Sequence, residues 1–425
     1  MKKVILKGPI LTQSGYGHHA RTIYRAMKTR PDLFDIYIQP IPWGNTSWQW
    51  ETNEERKEID AILTKTIEFL SSGPNVQFDV SVQVTIPNEW EKIAPINIGV
   101  TAGIETDKID AKWIEKSAVV DKIITISKHS LESFVNTVYD ATDENTGRNF
   151  EYRCTTPVDY VSYPVLKTEP KDLDFNLSTK FNFLTVAQIS PRKNVSQLMQ
   201  CFIEEFKDNE DVGLIIKANS SKNSLIDRTK TLNDFKKYVH AFTQGQEIKC
   251  KIYLLHGFLN DSEMAGLYNH PNIHAFISTT HGEGYGLPMF EAAYYGLPVI
   301  ATDWSGHLDF LYKPVKQKNG RTKFKHMFGK ISYNLKEIQK EAVWEGVIPA
   351  GSKWAFPENI SIKHNLSEVY KDHGRFKKRA AELEKWICKE FTEEKVYGDF
   401  VKLVEPFFVG LDQEVDELFS ELTAE

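Results

Sequence analysis

An apolar run, Ile273 to Ser278, leads into His281-Gly282-Glu283-Gly284-Tyr285-Gly286-Leu287-Pro288-Met289-Phe290-Glu291-Ala292. A helical run, Pro288 to Tyr295, overlaps its end. Gly296, Pro298 and a second apolar run, Val299 to Thr302, follow. The order is strand, Gly-rich loop, helix, strand. That predicts a βαβ unit whose loop lies on the ligand-binding edge of a parallel sheet.

The chemistry of the turn follows from its residues. Proline fits the first helical position, where no N–H is needed, so Pro288 marks the helix start. The free N–H groups around it make an anion or hydroxyl site. Gly284 and Gly286 let a ligand approach the backbone. Glu283 falls in the loop, and Glu291 about one turn into the helix. An ionised carboxylate accepts paired hydrogen bonds from vicinal sugar hydroxyls. Two such groups around a phosphate-friendly turn suit a ligand with two sugars and phosphates between them, such as a nucleotide sugar. An ordinary βα turn with incidental glutamates is the competing reading.

Glu283 and Glu291 resemble the E-x7-E element of retaining glycosyltransferases of the GT-B fold, most closely glycosyltransferase family 4. The resemblance extends through Gly296-Leu297-Pro298-Val299-Ile300-Ala301-Thr302 to Gly306. It is strong in the second half of the chain and looser in the first. It implies an α/β protein with two Rossmann-like, doubly wound domains facing a central cleft. It also implies that Glu283 holds donor-sugar hydroxyls and Glu291 the ribose. Backbone at Gly284, Tyr285, Gly286 and Leu287 would contact the donor.

At 425 residues the chain has room for two domains. A net charge of −6 advertises no global affinity for nucleic acid. Cys154, Cys201, Cys250 and Cys388 are far apart, with no CxxC pair, which fits reduced thiols in the cytoplasm. The N-terminal apolar run is too short for a signal peptide. No stretch approaches the ~20 apolar residues of a membrane span, so membrane insertion is not expected. Nothing in the sequence specifies an oligomeric state.

Alternation organises the rest. Strands are predicted at Val4–Leu6, Asp35–Pro40, Phe78–Thr85, Ile96–Thr101 and Lys122–Ser127. Helices are predicted at Glu54–Leu70, Asp110–Val119 and Lys128–Tyr139. Ala20, Ile23, Tyr24 and Met27 give a helical stripe after a turn at Gly15-Tyr16-Gly17. Asp140–Asn149 reads as a loop, Tyr160–Pro164 as the last strand of a first domain, and Val165–Thr179 as a linker. A second series starts at Phe181–Ala187. Boundaries of 1–165 and 166–404 follow. By the resemblance, a terminal helix, about 405–425, crosses back onto the first domain.

Phe183–Ala187 runs into Gln188-Ile189-Ser190-Pro191-Arg192-Lys193-Asn194. Two cations at a strand end beside a helix N-terminus suit a diphosphate. The resembling family has an arginine directly after this strand and a lysine about five residues on. Lys193 matches the lysine, Gln188 stands at the arginine position, and Arg192 is the substitute cation. Lys217, ending Leu214-Ile215-Ile216, is a weaker candidate of the same kind. Gly15 and Gly17 look like the family's first glycine loop, near donor phosphates and acceptor. Glu105 and Thr106 look like a Glu-Thr near the reacting sugar. A helix N-cap by Thr106 or Asp107 is the competing reading, and it does not exclude the first. Gly257 and Phe258 would offer backbone to the nucleobase. The catalytic set is thus Lys193, Arg192, Glu283 and Glu105.

No metal and no cofactor beyond the nucleotide-sugar donor, a UDP-sugar by preference, are expected. His270, His274 and His281 lack zinc-pair spacing. Asp172-Leu173-Asp174 falls in the linker. The basic run Lys313, Lys316, Lys318, Arg321, Lys323, Lys325, Lys330 is expected near the cleft mouth, as a solvated loop or a contact to phosphate backbone. Gly8 to Gly17 is similar to phage-encoded stand-alone members, some of which glycosylate modified DNA bases. The acceptor candidates are Tyr16, His18, Thr106, Lys316, Lys318, Arg321 and Lys323. A surface glycan or lipid-linked sugar is the alternative acceptor. A nucleotide-sugar epimerase or hydrolase, or an inactive scaffold, is the alternative class.

Overall fold

The computed structural model describes residues 1–143, 145–220 and 222–409. It has two six-stranded sheets, each parallel throughout. The first runs in the order Phe34–Pro40, Lys2–Gly8, Val80–Val84, Ile96–Val100, Lys122–Thr125, Val158–Tyr160. The second runs Lys251–Leu255, Val212–Asn219, Phe181–Gln188, Ala275–Ser278, Val299–Thr302, Gly329–Ile331. Parallel sheets covered on both faces need continuous apolar strands rather than alternating ones. Val299–Thr302 is buried at every residue. Val80–Val84 is buried throughout as well but alternates, and its polar side chains are satisfied inside: Ser81 donates to Asn97 Oδ1 at 2.8 Å and Gln83 to the Glu91 carbonyl at 2.7 Å. Each fully buried Val, Leu or Ile contributes about 1.5–3 kcal/mol.

In both sheets the strand order reverses beside the first strand of the array. Lys2–Gly8 sits between Phe34–Pro40 and Val80–Val84, and Phe181–Gln188 between Val212–Asn219 and Ala275–Ser278. Loops leaving these strands open at a topological switch point, where such folds bind ligands.

The predicted stripe Ala20, Ile23, Tyr24, Met27 is buried, on the helix Gly15–Lys28. Gly15-Tyr16-Gly17 is not a separate turn but the first turn of that helix. Ser14 caps it, its hydroxyl accepting from the Gly17 N–H at 2.9 Å.

Several local readings are corrected. The helix from Lys128 ends at Asn136, because Thr137 turns the chain into a hairpin, Val138–Thr142 with Asn149–Arg153. Asp140–Asn149 is therefore partly strand. The last strand of the first sheet is Val158–Tyr160, just ahead of Tyr160–Pro164. The return to the first domain also comes early. Val396, Tyr397, Phe400, Val401 and Val404 of helix Glu393–Val404 join the same core as Ile23, Tyr24 and Met27. Thr392 caps that helix through the Lys395 N–H, and Arg30 pairs with Glu405 at 3.0 Å. Most of the expected segment 405–425 lies outside the described residues.

Between the paired strands Tyr333–Glu337 and Lys353–Pro357 the chain makes a long excursion, 338–352. This strap reaches the first domain. Asn88 Nδ2 donates to the Gly346 carbonyl at 2.8 Å, and Asp107 exchanges two hydrogen bonds with the Lys353 backbone. Val347 is buried among Trp90, Ile104 and Trp113.

Candidate active site

Two loops of the second domain are zipped together. His281 N–H donates to the Arg192 carbonyl at 2.9 Å, Asn194 Nδ2 to Thr279 O and Thr279 Oγ1 to Asn194 O, both at 3.1 Å. The ends of strands Phe181–Gln188 and Ala275–Ser278 are thereby fixed side by side. The sequence stretches Gln188–Asn194 and His281–Ala292 become one wall, although Lys193 and Glu283 are 90 positions apart in the chain.

That wall carries a four-charge cluster. Arg192 Nη1 donates to Glu283 Oε2 at 2.9 Å and Lys193 Nζ to Glu283 Oε1 at 2.6 Å. Arg192 Nε lies 3.3 Å from Glu105 Oε1 of the first domain. The Glu283 side chain is 8% exposed. Burial alone would raise its pKa, but Lys193 and Arg192 outweigh that and hold it at about 2. Burial would lower the Arg192 guanidinium, and Glu105 and Glu283 hold it above its ordinary value. Lys193 goes the other way. Its burial, with Arg192 adjacent, outweighs its share of Glu283 and depresses it. We take the cluster as two cations and two carboxylates, because the geometry pairs every charge.

The approach of the two domains here needs glycine. A Cβ on Gly284 would lie 2.2 Å from the Ala102 carbonyl oxygen. Gly286 caps the helix Leu287–Tyr294 at φ 93°, a left-handed conformation open mainly to glycine. Pro288 occupies the second helical residue, not the first.

Glu291 faces the same cleft farther along. Its Oε2 accepts from the buried Tyr268 hydroxyl at 2.8 Å. Burial lifts this carboxyl to about 7, although Tyr268 pulls it down. Lys217 Nζ donates to the Gly257 carbonyl at 2.5 Å, and burial lowers it to about 8.

The cleft is continuous. Its inner part, about 700 Å³, is lined by Tyr16, Glu105, Gln188, Arg192, Lys193 and Glu283 to Pro288. Its outer part, about 620 Å³, is lined by His18, Arg21, Gly257, Phe258 and Glu291. Gly15, Lys217 and Leu287 line both. Arg192 thus reaches the cleft, while Gln188 lines it as an exposed side chain. His18 is held neutral, its pKa lowered to about 3 by burial and then by Arg21 and Arg25.

Some candidates fall elsewhere. Gly17 is buried against Thr12, whose carbonyl oxygen would lie 2.2 Å from a Cβ there, so its role is to close the first loop. Thr106 is fully buried, its hydroxyl donating to the Lys108 carbonyl. It lines no part of the cleft, and Asp110 caps the next helix instead. His281 is buried, hydrogen-bonded to Ala355 O and stacked on Trp354. Among the described residues no cluster of His, Cys, Asp and Glu could hold a metal. The four cysteines are free. The basic run is not a loop at the cleft mouth but an exposed hairpin, Tyr312–Lys316 with Thr322–His326. Lys313 and Lys325 anchor it to Glu382, and Lys316, Lys318, Arg321 and Lys323 do not line the cleft.

Sequence reasoning missed Ser305. Its hydroxyl accepts from the Glu283 N–H at 2.8 Å, from a backbone at φ 82°. A non-glycine residue held there costs of order 1–3 kcal/mol, and such strain concentrates at functional sites. The aromatic residues Trp43 and Trp50 were also unread. Trp43 packs on Tyr16 at 4.1 Å, and Trp50 contacts Phe258 across the outer cleft.

Two doubly wound parallel domains facing one cleft, with the ligand-edge loops of both sheets in it, define a GT-B fold. Residues 169–317 match the family model described as Glycosyl transferases group 1. Over 124 residues, 29% of this chain, the sequence is 30% identical to the serotype-specific mannosyltransferase WbdA of Escherichia coli, of which the match spans 13%. The fold is similar to sucrose-phosphate synthase of Thermosynechococcus elongatus, with a TM-score of 0.59 at 11% identity, covering 96% of this chain and 99% of that one. HepE of Anabaena, solved with UDP and glucose, gives 0.54 at 11% identity, covering 95% and 100%. The family match is confined to residues 169–317, and the structural likenesses extend the GT-B fold over almost the whole chain. Among the described residues no helix is long and apolar enough to cross a membrane.

Proposed function

We propose that this chain is a retaining glycosyltransferase of family 4 type. It moves a hexosyl or pentosyl group from a nucleotide-diphosphate sugar, a UDP-sugar by preference, to an acceptor hydroxyl. The observation that carries the reading is the pair Arg192 and Lys193 clasping Glu283 in the cleft, with Glu291 on the same Gly-rich helix start. The bond from the anomeric carbon to the diphosphate oxygen breaks as a bond to the acceptor oxygen forms on the same face. The acceptor proton leaves with the diphosphate. Protein cations stabilise the departing charge, so the reaction needs no bound metal. HepE's complex with UDP supports the choice of nucleotide. Calorimetry with UDP, GDP and ADP, then anomeric analysis of product formed in EDTA, tests the reading. Turnover of UDP-sugar with no acceptor present would favour an epimerase or hydrolase, and no nucleotide binding a scaffold.

Glu291→Ala should weaken UDP binding about 10–150-fold, by losing a charge-assisted pair to ribose worth ~1.5–3 kcal/mol. Its pKa adds a pH signature. Only the ionised form accepts from both ribose hydroxyls, so UDP affinity should rise as pH passes through about 7. The unliganded protein behaves oppositely. A carboxyl raised from 4.5 to about 7 contributes stability that is full below 4.5 and lost as pH rises through 7. A UDP titration repeated across this range checks both, and a flat affinity would remove Glu291 from the ribose.

For the acceptor we propose a hydroxylated or already glycosylated base in phage DNA, acting in the host cytoplasm. The similarity of Gly8 to Gly17 to phage-encoded members and the basic hairpin support it. A base would have to be extruded to reach the cleft. Neutralising Lys316, Lys318, Arg321 and Lys323 together should flatten log K against log salt for duplex DNA by up to ~4 units and leave UDP affinity unchanged. A surface glycan is the second reading, favoured by the similarity to WbdA. A salt-independent acceptor KM would select it.

A further inference from the structure

We propose that a side chamber off the inner cleft receives the acceptor through a planar aromatic ring. This rests on the transferase reading above and adds the acceptor's chemistry. The chamber encloses about 390 Å³. Tyr16, Trp43, Glu105 and Arg192 line both it and the inner cleft, so a group seated there faces the charge cluster. It shares no lining residue with the outer, nucleoside end. A donor and a second molecule can therefore meet at Glu105 and Arg192 from opposite sides.

Both domains and the strap build the walls. Trp43 and Trp113 come from the first domain, Trp344, Val347 and Ile348 from the strap, and Trp354 from the strand after it. Tyr16 and Trp43 pack at 4.1 Å between ring centroids, and the Tyr16 hydroxyl is held by Thr101 at 2.8 Å. The aromatic wall at the junction is thus fixed in place. Trp344 is 55% exposed on the strap, free of the packing that buries Trp113 and Trp354.

The lining selects among occupants. A pyranose carries hydroxyls around its ring, and each needs a partner once buried. The polar side chains of the lining are Tyr16, Glu105, Ser190, Arg192 and Glu341. Glu105 and Arg192 already bind each other and the Tyr16 hydroxyl is held by Thr101, which leaves Ser190 and Glu341 for a whole ring of hydroxyls. A planar aromatic ring needs partners only at its edge. Its faces gain from offset or edge-to-face contact with Tyr16, Trp43 and Trp344, the aromatic side chains of the wall that are not fully buried. The volume fits one ring system and its substituents, within the ordinary range of small-ligand pockets.

The test uses three small probes by saturation-transfer NMR: benzyl alcohol, cyclohexylmethanol and methyl α-D-glucopyranoside. Benzyl alcohol should bind the wild-type chain more tightly than either of the others. Trp344→Ala should weaken it about tenfold, for loss of one aromatic wall, and Trp344→Phe should retain it. UDP affinity, read by calorimetry, should be the same in both variants. Equal or stronger binding of the glucoside or cyclohexylmethanol to wild type overturns the proposal, whether or not the variants fold. So does undiminished benzyl alcohol binding in a folded Trp344→Ala. If UDP fails to bind while benzyl alcohol binds and is lost in the variant, the donor reading falls and the chamber stands. If UDP binds and benzyl alcohol does not, the chamber falls and the donor reading stands.

Discussion

Replacing Lys193 by alanine should lower kcat and kcat/KM together, by about 10²–10³-fold, the usual cost of one electrostatic donor. Negative charge grows on the diphosphate as the glycosidic bond breaks, so the cation is worth more in the transition state than in the bound ground state. Its position supports this role. Lys193 is held at 2.6 Å from Glu283 on the cleft wall and lines the inner cleft. Steady-state kinetics with a UDP-sugar checks the effect, and a change confined to KM would reduce Lys193 to a ground-state contact. Thermal unfolding should be measured alongside, because the same substitution removes one of Glu283's two partners.

Glu283→Gln should have the largest effect on stability. The carboxylate is the one ion-pair partner of Lys193 among the described residues, and it shares Arg192 with Glu105. Breaking a buried pair from one side costs about 3–5 kcal/mol, because the remaining charge stays buried and uncompensated. The pH dependence has a definite sign. A carboxyl depressed from 4.5 to about 2 contributes stability that is present above 4.5 and lost as pH falls through about 2. Wild-type stability should therefore decline across that acid window, and the variant should lack this part of the decline. Urea unfolding at pH 7 and pH 3 reads both. UDP should restore the variant more than it stabilises wild type, since a diphosphate offers the two freed cations an anion. An equal UDP-induced shift in the two proteins would place the diphosphate elsewhere.

The fold and the centre of the site were legible where local pattern and chemistry agree. Ile273 to Thr302 announced a βαβ unit because apolar runs, alternating glycines and a proline each had one structural use there. Arg192 could be nominated as the substitute cation from its place in the loop. Only the zipped loops reveal that it binds Glu283 and Glu105 together. Charge runs were less legible. Lys313 to Lys330 reads the same in a loop as in a hairpin, and its anchor, Glu382, lies far along the chain. Thr106 has the residue type of a binding hydroxyl, but burial is a tertiary property that its neighbours in sequence do not record. Ser305 was silent for a related reason. A strained φ at a serine leaves no trace in composition, whereas a glycine in the same role would have.

The strap changes what motion this protein can make. Its tip, Val347, is embedded in the first domain, while both its ends belong to paired strands of the second. The domains are therefore fastened to each other at the chamber end of the cleft. The linker and the returning helix Glu393–Val404 are the covalent crossings, and the strap adds a non-covalent one. Widening the chamber end means extracting Val347 and breaking the Asp107 and Asn88 contacts, whereas at the outer end the exposed Trp50 and Phe258 meet edge to face across the cleft. Breathing of the cleft is thus lopsided, like a book bound near one edge. Under the proposed transferase reading, the donor enters at the less fastened end and the acceptor beside the strap.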